Sequence, residues 1–246
     1  MRKFLLSILL MIAFLLMAPL LSAKIYVVSV GISNYKEIPS LQLPAKDAKS
    51  VSELYKKQTK DVILLTGKYA TKARIKKSLQ DQFARAKKED VIVFFFSGHG
   101  YPGGICPYDM GKTDETAGLS YKEIRFIMKG SRAKNKIIIA DACFSGSLRS
   151  RSSSDNGRDN DSSVIFFLSS RSNEASAENP LMVNGYFTKA LIRGLKGGAD
   201  TNRDRRITAK EIYTFVSQSV KEQSHDKQHP VMWGNFDDNF VLMDWN

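Results

Sequence analysis

The stretch that decides the fold is VIVFFFSGHG, residues 91–100. Its first six residues are all β-branched or aromatic and show no polar alternation, which is typical of a strand buried on both faces. The strand then runs out into Ser97 and into His99, which stands between two glycines. Sites in parallel α/β sheets form at the carboxyl ends of strands, and glycine lets a ligand approach the backbone closely. The stretch therefore predicts a central strand that delivers His99 to a site.

Four other short apolar runs have the same character and predict further strands: Ile25–Val30, Val62–Leu65, Ile137–Ala140 and Val164–Leu168. Between them lie amphipathic segments that predict helices over 45–58, 71–88 and 120–129, with Thr71 as the cap of the second. Strands that alternate with helices through short linkers predict an α/β fold, a three-layer sandwich with a mainly parallel central sheet flanked by helices.

The composition narrows the class of protein. With 43% apolar and 25% charged residues in 246, a disordered or collagen-like chain is excluded. Two cysteines are too few for a disulfide framework or a four-thiolate zinc site, and three histidines leave few candidates for acid–base chemistry.

The net charge of +12 permits attraction to nucleic acid or to an anionic membrane. The basic excess is spread along the chain, and its densest cluster, residues 72–88, lies on a predicted helix. The other face of that helix carries Ile75, Leu79 and Phe83. A solvated helix face is the simpler interpretation, so no nucleic-acid partner is expected.

The N-terminus has the layout of a secretory signal. Arg2 and Lys3 precede an apolar run over residues 4–16, and small residues lead up to Ala23. We expect residues 1–23 to be removed and the protein to be exported, periplasmic or secreted, without a stable membrane anchor. An uncleaved anchor is the alternative, because the apolar stretch nearly reaches the length of a spanning helix.

A second strand end carries a cysteine. The fourth predicted strand runs out into DACFSG, residues 141–146, which places Cys143 in a turn of small residues. If this strand neighbours the one before His99, thiol and imidazole face each other, the arrangement that nucleophilic catalysis needs. Taken alone, Cys143 could be a buried structural thiol and His99 a turn residue.

SGHG at 97–100 and DACFSG at 141–146 resemble the two signatures of the caspase-like cysteine peptidases, in particular the metacaspase-type branch of bacteria. Residues 28–35, 43–48 and 185–188 are similar to the family's first strand and turn, its following helix start and its later helix. The resemblance covers nearly all of residues 24–246. It implies one peptidase domain, with a large segment over about 24–148, an exposed linker at 149–162 and a small segment over about 163–246.

The resemblance also implies the roles of the catalytic residues. Cys143 is the implied nucleophile and His99 the general acid/base, while the backbone N–H groups of Gly100 and Cys143 form an oxyanion hole.

In metacaspase-type members an acidic pocket holds a basic side chain before the cleaved bond. The matching positions are Asp47, Ser97 and Asp141. Two carboxylates at a narrow pocket favour Arg or Lys through charge-assisted hydrogen bonds. The alternatives are that Asp47 caps or solvates a helix and that Asp141 holds its own turn.

Residues 149–161 contain no apolar side chain and are rich in Ser, Asn and Asp. This composition predicts an exposed loop. In the family this is where self-cleavage often occurs, so Arg149, Arg151 and Arg158 are candidate cleavage sites. A plain surface loop is nearly as good an interpretation.

Residues 200–211 have the oxygen spacing of a calcium loop, but Arg205 stands where such loops need glycine. This is a weak Ca²⁺ candidate; a polar turn capping a helix from Thr208 is the alternative. Residues 119–123 lack the Asp pair that binds activating calcium in many metacaspases. The candidate ligands with charged or amide oxygens are Asp200, Asn202, Asp204 and Glu211.

His225 and His229 have the spacing of a helical zinc pair, but Pro230 disfavours helix at His229.

Cys106 follows His99 closely and could form an inhibitory disulfide with Cys143 after export. A packed structural thiol is the simpler interpretation.

Together these features predict an exported cysteine endopeptidase that cuts after Arg or Lys through a Cys–His dyad and an acyl-enzyme. We expect a monomer that acts on proteins or peptides and requires no cofactor. The alternatives are an inactive caspase-fold binding scaffold and an exported thiol oxidoreductase, which lacks a Cys-x-x-Cys pair.

Overall fold

A computed structural model describes residues 23–111, 117–142, 164–169, 185–234 and 240–246. The strands within these ranges are β1 (Ile25–Gly31), β2 (Val62–Thr66), β3 (Val91–Ser97), β4 (Gly100–Tyr101), β5 (Gly104–Ile105), β6 (Leu119–Ser120), β7 (Asn135–Asp141), β8 (Ile165–Leu168), β9 (Arg206–Thr208), β10 (Val231–Trp233) and β11 (Val241–Asp244). The α-helices are α1 (Pro44–Tyr55), α2 (Lys72–Phe83), α3 (Tyr121–Lys129), α4 (Tyr186–Arg193) and α5 (Ala209–Gln223).

Six strands form the central sheet in the order β10-β8-β7-β3-β1-β2. All neighbours pair in parallel except β10, which runs antiparallel to β8 at one edge. Every residue of β1 and β3 is buried, as their unbroken apolar runs predict. The expectation of burial on both faces is wrong for β2, whose five residues are only half-buried because it is the other edge strand.

Helices cover both faces of this sheet. Phe94 and Phe96 of β3 share one core cluster with residues of α2 and α3, whereas Phe95 points into a second cluster with residues of α1, α4 and α5. Successive side chains of a strand point to opposite faces, so one aromatic run supplies both layers. The predicted three-layer α/β sandwich with a mainly parallel sheet is confirmed.

Polar side chains cap the helices of one layer. The Thr71 hydroxyl accepts a hydrogen bond from the backbone N–H of Arg74 at 3.3 Å, as the sequence predicts for the start of α2. Ser120 and Glu123 cap α3 through reciprocal hydrogen bonds. The helix predicted over 71–88 ends earlier, at Phe83, whose carbonyl accepts from the Ser131 hydroxyl at 2.7 Å.

Two small sheets, β4-β5-β6 and β9-β11, stand outside the central one. The first sheet begins directly after His99, and its last strand leads into α3. The backbone N–H of Tyr121 donates to the carbonyl of Gly103 and ties the start of α3 to this sheet. Strands of two to four residues carry no periodic pattern, which is why the sequence did not predict these sheets.

Residues 1–22 of the predicted signal, the predicted linker at 149–162 and Cys143 lie outside the described residues. The signal, the linker and the self-cleavage sites Arg149, Arg151 and Arg158 therefore stay predictions. Within the described part of the chain, no helix combines the length and apolar character needed to cross a bilayer.

Candidate active site

The two strands that carry the site motifs are neighbours. β3 and β7 pair in parallel, and Ser97 and Asp141 are partners at the last position of the register. The backbone N–H of Gly98 donates to the Asp141 carbonyl at 3.2 Å and ties the two strand ends together. His99 follows Ser97 by two residues, as Cys143 follows Asp141. The strand before His99 and the strand before Cys143 are therefore neighbours, which is the condition for a thiol and an imidazole to face each other.

The loop after β1 holds His99. The backbone N–H of His99 donates to Tyr35 Oη at 2.7 Å, and the two rings lie 5.1 Å apart. The imidazole Nε2 lies 2.9 Å from the carbonyl oxygen of Pro39. Because a carbonyl only accepts, this bond places the proton on Nε2 and leaves Nδ1 as the acceptor. Tyr35 and Pro39 were not assigned a role from the sequence, since nothing local links them to a histidine sixty residues away.

Gly98 is required by close packing. A Cβ at this position would stand 2.5 Å from Tyr35 Oη and 2.8 Å from Cζ of Phe96. No side chain fits there without moving the tyrosine that bonds His99, so the glycine before the histidine belongs to the geometry of the site.

Two buried carboxylates lie beside the strand ends. Asp47, in the first turn of α1, is 2% exposed and accepts a hydrogen bond from the Ser97 hydroxyl at 2.8 Å. Asp141 is 8% exposed. A Cβ added at Gly185 would lie 3.1 Å from Oδ2 of Asp141 and 3.9 Å from Oδ2 of Asp47. The structure thus brings Asp47, Ser97 and Asp141 together, next to the start of α4.

The start of α4 supplies further hydrogen bonds to these carboxylates. Thr188 donates to Oδ2 of Asp141 from its hydroxyl at 2.8 Å and from its backbone N–H at 3.3 Å. The backbone N–H of Gly185 donates to Oδ1 of Asp47 at 3.3 Å. Residues 185–188 carry only a weak resemblance to the family, and nothing in the sequence assigned a role to Thr188. These hydrogen bonds orient the two carboxylates.

The oxygens of the calcium candidate accept hydrogen bonds within their own turn, and Ca²⁺ binding there stays a prediction. Asp200 Oδ1 and Asn202 Oδ1 both accept from the backbone N–H of Asp204, at 3.1 and 3.0 Å. Glu211 accepts from Thr208 in the capping box of α5. These are the bonds of a polar turn that caps a helix. Among the described residues, no three His, Cys, Asp or Glu side chains are grouped so that they could hold a metal ion.

The histidine pair does not share a helix. α5 ends at Gln223, and His225 and Asp226 both have positive φ angles. His229 Nε2 lies 2.9 Å from a carboxylate oxygen of Asp226. The two histidines therefore do not present the helical zinc pair that their spacing suggests.

Cys106 is buried, with 4% of its surface exposed, and it packs in the same core cluster as Phe96. Its backbone N–H donates to the His99 carbonyl at 2.9 Å. The packed position agrees with a structural thiol, while the disulfide with Cys143 stays a prediction because Cys143 lies outside the described residues.

Comparison with known proteins agrees with this fold. A family model described as the caspase domain, of peptidase family C14, matches residues 25–241. The chain therefore belongs to the caspase-domain family of cysteine peptidases, a family whose substrates are proteins. The crystal structure of protein GSU0716 from Geobacter sulfurreducens has the same fold, with a TM-score of 0.65 and 16% sequence identity, over 90% of this chain and 98% of that chain. No curated protein matches.

Proposed function

We propose that the protein is a cysteine endopeptidase that uses Cys143 as nucleophile and His99 as general acid/base. One observation carries the proposal: Ser97 and Asp141 are register partners in adjacent parallel strands. His99 and Cys143 each follow one of these partners by two residues in the sequence, and the two strands end at the same edge of the sheet. The hydrogen bond between His99 and Pro39 supports the role of the imidazole, because it orients the ring through Nε2 and keeps Nδ1 available as a base.

The chemistry then follows in two steps. The Cys143 sulfur attacks the scissile carbonyl carbon, His99 Nδ1 takes the thiol proton, and the same proton passes to the leaving amine. The backbone N–H groups of Gly100 and Cys143 stabilise the oxyanion. Water, deprotonated by His99, then attacks the thioester, releases the acid product and restores the thiol.

For the substrate, we propose cleavage after Arg or Lys. Asp47 and Asp141 are both buried and converge at Gly185. A guanidinium or ammonium group would bring the positive charge that two such carboxylates favour. Ser97 orients Asp47 and Thr188 orients Asp141, so the pocket is shaped before substrate arrives.

The proposals of export and of a metacaspase-type relationship rest on the sequence. They come from the N-terminal signal layout and from the SGHG and DACFSG motifs. Loss of residues 1–23 from protein recovered outside the cytoplasm, checked by intact-mass measurement, tests the first.

The decisive experiment is hydrolysis of short fluorogenic peptides with Arg, Lys or Asp before the cleaved bond, with and without Ca²⁺. We expect turnover after Arg or Lys, abolished in Cys143→Ala and in His99→Ala and retained in Cys106→Ala, the matched thiol control. Turnover that survives Cys143→Ala would disprove the dyad. No turnover of any peptide would favour the inactive scaffold.

A further inference from the structure

Most of the net positive charge of the protein lies on one face of the fold. Two segments contain 14 of the 37 Lys and Arg and four of the 25 Asp and Glu: residues 67–90, around α2, and residues 119–136, around α3. They account for +10 of the net charge of +12. The other two charges are those of Arg2 and Lys3, so the rest of the chain is neutral.

The opposite helical layer shows the contrast. α1 and α5 each carry two lysines and two acids and are neutral, and α4 adds only Lys189 and Arg193. The cations of the α2–α3 layer are nearly all at the surface; Lys136, which donates to backbone carbonyls, is the buried one. A field of one sign on one face of a protein attracts partners of the other sign.

An apolar groove runs through the middle of this basic face. It lies between α2 and α3, and its two adjoining parts have volumes of about 520 and 510 Å³. Both parts are lined by Gln80, Phe126, Ile127 and Lys129. We call it the α2–α3 groove. Phe126 is 78% exposed, the most exposed large apolar side chain among the described residues. Aromatic side chains, Phe among them, are enriched at protein interfaces.

The charges around the groove are unbalanced. Lys76, Lys122, Arg125 and Lys129 line its first part together with one acid, Glu123. The Glu123 carboxylate is already engaged by Lys76 at 3.2 Å, by Lys72 at 3.8 Å and by the cap of α3. The rim is therefore cationic around an apolar floor.

We infer that the α2–α3 groove binds an acidic peptide segment of a protein partner, with an apolar side chain against Phe126 and carboxylates facing the surrounding cations. Two helices that flank an apolar groove offer a recognised mode of peptide binding, in which the apolar anchor gives affinity and the charged rim gives selectivity.

A peptide fits this face better than a membrane does. A bilayer surface favours several protruding apolar side chains, and the second exposed aromatic here, Tyr69, has the cations of Lys68 and Arg74 near its ring, at 5.5 and 5.3 Å from its centroid. A concave site of about 520 Å³ accepts side chains from a folded or extended segment.

The α2–α3 groove is separate from the candidate active site. Its far part is lined by Phe83, Gly130 and Ser131, at the carboxyl ends of α2 and α3. These ends lie beside the amino ends of β3 and β7, whereas His99 follows the carboxyl end of β3. The inference therefore does not depend on peptidase activity, and binding can be measured without cleavage.

The test uses the whole protein and a short fluorescein-labelled peptide made of glutamates around a central pair of leucines. Fluorescence anisotropy should show binding that weakens with added salt. The same peptide with glutamine in place of every glutamate should bind about tenfold more weakly at low salt. Equal binding of the two peptides would overturn the inference.

Two pairs of matched variants locate the site. Phe126→Ser should weaken binding about tenfold, while Tyr69→Ser, which removes the other exposed aromatic, should leave it unchanged. The double variant Lys122→Gln/Lys129→Gln should weaken it about fivefold, while Lys49→Gln/Lys56→Gln, on α1 and at its C-terminal cap, should not. All six positions lie at or near the surface, and thermal unfolding checks that each variant folds. Equal effects within either pair would overturn the inference.

The competing occupants are tested in parallel. Sedimentation with phosphatidylcholine vesicles, with and without phosphatidylserine, tests a membrane, and anisotropy with a short labelled duplex DNA tests a nucleic acid. If either binds in a Phe126-dependent way while the acidic peptide does not, the peptide assignment is wrong. Peptide binding that depends on Phe126, without such binding by vesicles or DNA, supports it.

Discussion

Ser97 and Asp141 are the last paired residues of two adjacent parallel strands, β3 and β7. The relationship aligns two sequence motifs that lie more than forty residues apart, because the histidine of one and the cysteine of the other follow their partners by the same number of residues. Both partners also take part in the pair of buried carboxylates, Asp47 and Asp141. The Ser97 hydroxyl donates to Asp47, and Asp141 is the second carboxylate. The strand register thus links the proposed dyad to the proposed pocket.

Asp141→Asn should reduce cleavage after Arg by about thirtyfold or more in kcat/KM, because an amide cannot supply the charge that holds a guanidinium. Steady-state hydrolysis of a fluorogenic Arg peptide measures the loss. Asp244→Asn, which changes an exposed carboxylate paired with Arg206, is the matched control and should behave as wild type. An equal loss on a peptide with leucine before the cleaved bond would mean that the change damages catalysis rather than the pocket.

Tyr35→Phe should lower kcat about tenfold with little change in KM. The variant keeps the ring beside His99 but removes the oxygen that accepts from the His99 backbone N–H, so the imidazole is held less firmly. The pH profile of kcat/KM and the melting temperature should be measured together. Tyr108→Phe, in the same core region, is the control. A lower melting temperature with unchanged kcat would show that Tyr35 matters for stability alone.

Gly31→Ala should destabilise the fold by about 2 kcal/mol, a typical cost of overpacking. Gly31 ends β1, and a Cβ there would contact the backbone oxygen of Pro44 and lie 2.6 Å from Cβ of Ala48, so α1 would have to move. Urea unfolding measures the change. Gly111→Ala, where an added Cβ meets only the carboxylate end of Glu37 at 3.3 Å, should be nearly neutral. Equal stability of both variants would contradict the packing argument.

The stability of the fold should fall as the pH drops below the ordinary glutamate pKa of 4.5. Partial burial tends to raise the pKa of Glu123, but hydrogen bonds from Ser120 and Lys76 and the charge of Lys72 outweigh it and lower that pKa. The pKa of Glu211 is lowered against the same effect of burial by hydrogen bonds from Thr208 and Thr201. A group with a lowered pKa in the folded state stabilises the fold above its unfolded value and loses that contribution on acidification.

Glu123→Gln and Glu211→Gln test this pH dependence. Each variant can keep the hydrogen bonds of the capping box but loses the negative charge at the helix N-terminus, so each should cost about 0.5 kcal/mol at neutral pH and should flatten the acid limb of the stability curve. Urea unfolding at a series of pH values gives both quantities. Glu53→Gln, which changes an exposed carboxylate 3.9 Å from Lys49, should leave the curve unaltered. An acid limb equally steep in all three variants would show that other groups control it.

Local patterns were enough to predict the strands and the motifs. The apolar runs at 25–30, 91–96 and 137–140 become strands with nearly the predicted bounds, because a strand buried on both faces must be apolar throughout. The caps at Thr71 and the site motifs after β3 and β7 were also visible, since a cap or a strand end depends on adjacent residues. The sequence alone did not determine that β3 pairs with β7.

Contacts between distant residues were decided by the tertiary structure. Gly185 bonds Asp47 across 138 positions and Pro39 lies against His99 across 60, and no local pattern encodes either contact. The same holds for the charge. The expectation that the basic excess is spread along the chain is wrong: it lies in two separate segments, 67–90 and 119–136, and the fold brings them together by packing α2 and α3 on one face. The sequence by itself determined which residues are apolar, reactive or charged; only the packing of helices against the sheet decided which of them act together, because side chains combine through space and not along the chain.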